Sequence, residues 1–101
     1  MKFDYAHSFD LSEAKERMSA LGEYLQNKYG LNVSWNENKA TFTGKFKIVT
    51  IDGTLEVSEN KVDFSGTDPG MLLRKKATSY LKDKLATYLD PTKPVDSLRR
   101  S

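Results

Sequence analysis

The chain has 101 residues, 38% hydrophobic and 30% charged, with no cysteine and a formal charge of +2. That length suits one folded domain, and the composition belongs to a foldable chain rather than a disordered one. Without cysteine there is neither a disulfide nor a thiolate metal site, which agrees with the expected cytoplasmic location. The charge excess falls on residues 91–101, where Lys93, Arg99 and Arg100 face only Asp96. Residues 1–90 are electrically balanced, which argues against a nucleic-acid partner, since such binders carry their excess on the folded face. No apolar run reaches the roughly 18 residues of a membrane span, and the first residues lack the apolar core of a secretory signal.

Residues 2–6 alternate, with Phe3 and Tyr5 on one side and Lys2 and Asp4 on the other, which predicts a short half-buried strand. Asp10 with Glu13 three residues on marks a helix start. Leu11, Ala14, Met18, Leu21 and Leu25 then form one apolar stripe, and Gly30 stops the helix, predicted over 11–29. Glu13 and Arg17 are spaced as an i,i+4 pair on its wet side.

A meander follows. Leu31, Val33 and Trp35 alternate with polar residues, Asn36-Glu37-Asn38 reads as a turn, and Ala40 and Phe42 begin the return. Phe46 to Ile51 is rich in β-branched residues, and Asp52-Gly53 carries the strongest hairpin signal in the chain. Leu55 and Val57 alternate, Glu59-Asn60 turns again, and Val62 and Phe64 complete the sheet. Gly44 reads equally well as a bulge or as a break between strands. Asp68-Pro69 opens a second helix, predicted over 69–89, with Asp68 as cap. Its stripe is Leu72 or Leu73, then Ala77, Tyr80, Leu81, Leu85, Tyr88 and Leu89. Pro91 and Pro94 stop it, and residues 91–101 are expected to form a flexible tail.

The expected product is an α+β domain over residues 1–90, in the order β-α-β-β-β-β-α. An antiparallel sheet of four to five strands carries both amphipathic helices on one face. A homodimer through the free face or an edge strand stays open.

Few residues carry chemistry. His7 is the single histidine, and a hydrolase built on it is the remotest reading, because Ser8 beside it points to the other face of a strand. One histidine and no cysteine leave no metal site, and Gly44, Gly53, Gly66 and Gly70 fit no phosphate loop, so no cofactor is expected. Tyr24, Tyr29, Tyr80 and Tyr88 read as packing at the core's edge.

Two surfaces stand out. Met71-Leu72-Leu73 cannot all enter a core from one helix, since neighbours lie about 100° apart, so at least one is exposed. Arg74, Lys75 and Lys76 follow directly, with Lys82 and Lys84 further on, suiting an anionic surface. Alternatively, Trp35, Phe42 and Phe64 could line a pocket between sheet and helix for a small lipid-like molecule.

The run Ala6-His7-Ser8, the helix end Leu25-Gln26-Asn27-Lys28-Tyr29-Gly30-Leu31 and the strand Val33-Ser34-Trp35 recur in one family in this order. So do Asp52-Gly53-Thr54-Leu55-Glu56-Val57 and Gly70-Met71-Leu72-Leu73. On these motifs, over residues 3–90, the chain resembles the polyhydroxyalkanoic acid system proteins, small bacterial proteins linked with polyhydroxyalkanoate granule regions. It departs from the family in a longer stretch over Lys45–Ile51 and in its Pro-containing tail. The resemblance implies no reaction. It implies a non-enzymatic accessory role, with granules or granule-associated proteins as partners.

Overall fold

The computed structural model describes residues 1–46 and 49–101. Strand β1 (Lys2–Ala6) leads into helix α1 (Leu11–Tyr29). The meander is β2 (Asn32–Asn36), β3 (Lys39–Phe46), β4 (Val49–Val57) and β5 (Lys61–Gly66). Helix α2 (Met71–Tyr88) and a short 3₁₀ turn, Val95–Ser97, complete the chain. The five strands form one antiparallel sheet in the order β1-β5-β4-β3-β2, so the helical crossover after β1 sends the chain to the far edge. The expected α+β class and element order are what is found.

Register puts one residue set on one face. Phe3 opposes Phe64, Leu55 opposes Phe64 and Ala40, and Ala40 opposes Trp35. One step along the strands, Tyr5, Val62 and Val57 line up in the same way. Both helices cover this face. Gly22 of α1 lies over Val33 and Trp35, while Thr78 and Lys82 of α2 meet Met1 and Phe3. The core is Ala14, Met18, Leu21, Tyr24 and Leu25 of α1 against Leu85, Tyr88 and Leu89, with Leu55, Val57 and Val62 below. The opposite face carries Lys2, Asp4, Lys39, Thr54, Glu56, Asp63 and Ser65 along an open groove, with charges of both signs.

Asp10 caps α1 by accepting the Glu13 amide at 2.8 Å, and the helix ends at Gly30 with φ 70°. The β2–β3 turn falls at Glu37-Asn38, with Asn36 opposite Lys39.

Five expectations need correction. Asp52-Gly53 is not a turn: the two residues sit within β4, opposite Thr43 and Phe42. A type I′ turn needs positive φ at both central residues, and Gly53 has none. Gly53 instead makes room, since a Cβ there would meet the Phe64 ring and the Ser65 carbonyl oxygen at 3.2 Å each. β3 and β4 pair as far as Phe46 opposite Val49, and of the stretch expected as strand from Phe46 to Ile51, Lys47 and Ile48 lie outside the described residues.

Gly44 is neither bulge nor break. It pairs in register with Ile51 and lets Leu31 approach, whose Cδ2 would lie 3.0 Å from an added Cβ.

The second helix begins at Met71, not Pro69, and Gly70 with φ 102° stands at its N-cap. Asp68 acts two residues earlier, accepting the Gly70 amide at 2.9 Å and pairing with Arg74 at 2.5 Å.

Arg17 is not on the wet side. It is 2% exposed, and it draws in the segment expected as a flexible tail. Leu98 of that segment enters the core, Asn27 donates to the Arg100 carbonyl at 2.7 Å, and Arg100 pairs with Glu23. The tail therefore lies along α1, because its two apolar residues, Val95 and Leu98, find cover there.

Candidate functional site

The first turn and a half of α2, residues 71–76, is exposed all the way round. The sheet's helix-facing surface is covered by α1 and by the later turns of α2, where burial begins at Ala77. Met71 is therefore 84% exposed, Leu72 90% and Leu73 41%. Spacing required one apolar residue outside the core; the structure puts all three there. Neither Leu72 nor Leu73 joins the helix's buried stripe.

The adjoining cations differ in their bonding. Arg74 is held by Asp68, whose carboxyl is lowered below its ordinary value first by that guanidinium and then by the Gly70 amide. Among the described residues, Lys75 and Lys76 form no ion pair. Lys82 and Lys84 do not extend this cluster. Lys82 lies over Phe3 at 5.5 Å from the ring centre, whereas Lys84 lies over Tyr24 at 4.7 Å and Tyr80 at 5.6 Å. The exposed turn is thus a short apolar tip with two free lysines behind it.

The three aromatic residues expected to line a pocket share the helix-facing side of the sheet, each with its own packing partners. Phe42 is buried in the core. Phe64 stacks on Phe3 at 5.2 Å and covers Gly53 and Gly66. Trp35 faces Gly22, with Lys15 5.9 Å from its ring centre.

His7 has both ring nitrogens occupied by backbone. Nδ1 accepts the Phe9 amide at 3.1 Å, which leaves Nε2 to donate to the Ser58 carbonyl at 2.8 Å. With its own amide bonded to the Asn60 carbonyl at 3.0 Å, His7 stitches the end of β1 to the β4–β5 turn.

The sequence did not disclose how Arg17 is used. Its Nε and Nη2 reach Glu13 at 3.0 Å, Nη1 donates to the carbonyls of Tyr88 at 3.1 Å and Asp90 at 3.3 Å, and Nη2 donates to that of Lys93 at 2.5 Å. The guanidinium also covers the Phe9 ring at 4.1 Å. This is a cation at the C-terminal end of α2, where the helix dipole favours it. The four tyrosines pair further along the two helices, Tyr24 with Tyr88 and Tyr29 with Tyr80. Tyr24 and Tyr88 are buried, and Tyr29 and Tyr80 share a hydrogen bond of 2.8 Å. Burial, reinforced by that bond, pushes the Tyr80 phenol above its ordinary range.

Among the described residues, no helix is long and apolar enough to cross a membrane. No curated protein and no solved structure matches the chain. A family model described as "Putative polyhydroxyalkanoic acid system protein" matches residues 1–92, that is, the sheet, both helices and the first residues after α2. By that match over nearly its whole length, the chain belongs to the polyhydroxyalkanoic acid system protein family.

Proposed function

We propose that this chain is a non-enzymatic accessory protein that docks on the surface of polyhydroxyalkanoate granules through the free tip of α2. One observation carries the reading: among the described residues Met71, Leu72 and Leu73 are the exposed large hydrophobic side chains, and they are consecutive. A soluble domain leaves single apolar residues in water freely, but a contiguous group on a protruding turn marks a contact surface. Family membership supports a role in the polyhydroxyalkanoate system, and the apolar polymer granule is the surface we assign to it.

The chemistry is burial. Sinking Met71 and Leu72 fully would contribute roughly 3–6 kcal/mol before the costs of association. Lys75 and Lys76 would each add about 1 kcal/mol against an anionic coat. The result is weak, reversible attachment that depends on many copies.

The test is co-sedimentation of the purified protein with isolated granules. Met71→Asp with Leu72→Asp should cut the bound fraction about tenfold or more, since two apolar anchors become charges. Both side chains are almost entirely in water, so the folded state should survive, which circular dichroism checks. Lys2→Asp on the free sheet face is the control and should bind as the wild type does. Undiminished sedimentation of the folded double variant would refute the docking surface.

A further inference from the structure

At the other end of α2 a second constellation has no part in that docking surface. Lys28 from the last turn of α1, Lys84 from α2 and Arg99 from the C-terminal segment converge on Tyr24. Their charged groups lie 5.4, 4.7 and 6.0 Å from its ring centre. Lys28 Nζ also donates to the Tyr24 hydroxyl at 3.0 Å. Among the described residues none of the three cations pairs with an Asp or Glu side chain, whereas Arg17, Arg74 and Arg100 each do. Lys28 also lies 5.8 Å from the Tyr29 ring centre and Lys84 5.6 Å from that of Tyr80, but rings offer only a modest cation–π attraction and supply no negative charge to balance three cations. The Lys28 ammonium is held above its ordinary value, chiefly by its bond to the Tyr24 hydroxyl, and Arg99 opposes it.

We propose that Lys28, Lys84 and Arg99 form a receptor for a phosphate group, with the Tyr24 hydroxyl as a fourth polar contact. A phosphate monoester carries close to two negative charges and three acceptor oxygens, so it can take two ammonium donors and a guanidinium together. A single carboxylate would leave the site with surplus positive charge. The setting already favours negative charge, for the Tyr24 phenol is lowered, chiefly by the Lys28 hydrogen bond and further by Lys84.

The third cation arrives only when the C-terminal segment is docked. Leu98 is anchored in the core, the Tyr88 hydroxyl donates to the Arg99 carbonyl, and Arg17 holds the Lys93 carbonyl. The Arg99 guanidinium itself donates to a backbone oxygen of Ser101 at 3.1 Å, a contact that a ligand oxygen would replace. Phosphate binding and docking of this segment are therefore linked, each strengthening the other by the same factor.

The experiment is an NMR titration of the full chain with inorganic phosphate at fixed ionic strength, repeated with glycerol 3-phosphate. Saturable shifts around Tyr24, Lys28, Lys84 and Arg99 are expected. Arg99→Gln and Lys84→Gln should each weaken binding about tenfold, the loss of one charge-assisted hydrogen bond. Lys75→Gln with Lys76→Gln should bind like the wild type. Saturation by both ligands assigns an esterified phosphate, and saturation by inorganic phosphate alone assigns the free ion. Shifts that fail to saturate, that chloride reproduces, or that survive Arg99→Gln and Lys84→Gln unchanged would overturn the site. The spectra themselves show whether each variant is folded. The granule-docking reading, which rests on residues 71–76, is not touched by either result.

Discussion

Replacing Arg17 by Met is expected to remove about 3–5 kcal/mol of stability, a large share of what a domain of this size has. Methionine refills much of the space over the Phe9 ring but supplies no donor. Of the three carbonyls that Arg17 serves, the Tyr88 bond is buried and those of Asp90 and Lys93 are partly buried. A buried carbonyl without a partner costs about 1–3 kcal/mol. The other two can regain water only if the C-terminal segment lifts, and that exposes Leu98, worth about 1.5–3 kcal/mol of burial. Staying down leaves three carbonyls poorly served; lifting uncovers a core leucine. Either route arrives near the same total. Urea denaturation followed by Trp35 fluorescence would measure it, and the melting temperature should fall by more than about 12 °C. A folded Arg17→Met protein within 1 kcal/mol of wild type would refute the reasoning, since Arg17 would then be an ordinary surface arginine.

Leu98→Ala should cost about 2–4 kcal/mol and speed amide exchange in residues 93–100 more than in the sheet; uniform exchange would contradict a docked segment. Gly53→Ala should destabilise by about 1–3 kcal/mol, because its Cβ would meet the Phe64 ring and the Ser65 carbonyl at 3.2 Å; a neutral outcome in denaturant would remove the close-approach explanation. Stability should decline as pH rises past 10. The Tyr80 phenol is raised above its ordinary value of 10.0 and Tyr88 is raised too, so the folded state holds both protons more tightly than the unfolded chain does. Their contribution is complete below pH 10 and is lost above it; a urea midpoint that stays flat from about pH 9 to 11.5 would contradict this. Tyr80→Phe should flatten that alkaline decline.

The fold was largely legible because its signals are local. Alternation at Phe3/Tyr5 and at Val33/Trp35, the stripe from Leu11 to Leu25, and the Asp10 and Gly30 caps each act within a few residues. The misreadings have non-local causes. Asp52-Gly53 has the composition of a turn, but its glycine answers to the Phe64 ring on the neighbouring strand. Glu13 and Arg17 do pair as their spacing suggests, yet Arg17 is buried by carbonyls from Tyr88 to Lys93, more than 70 residues away in sequence. The run 91–101 reads as loose because its two Pro residues break periodicity, and nothing local says that Leu98 has a place to go. The exposed tip was half visible. Helical geometry requires one of Met71, Leu72 and Leu73 to face water, but that all three do depends on the first turns of α2 lying clear of the sheet. The convergence of Lys28, Lys84 and Arg99 was invisible, for these residues come from three separate elements.

The most direct measurement is the location of the fluorescently tagged protein in cells induced to accumulate polymer. Wild-type protein should move onto the granules as they form, while the Met71→Asp, Leu72→Asp protein, equally abundant and folded, should stay dispersed. Both proteins decorating the granules alike, or the wild type remaining dispersed beside them, would contradict the docking role assigned to the tip of α2.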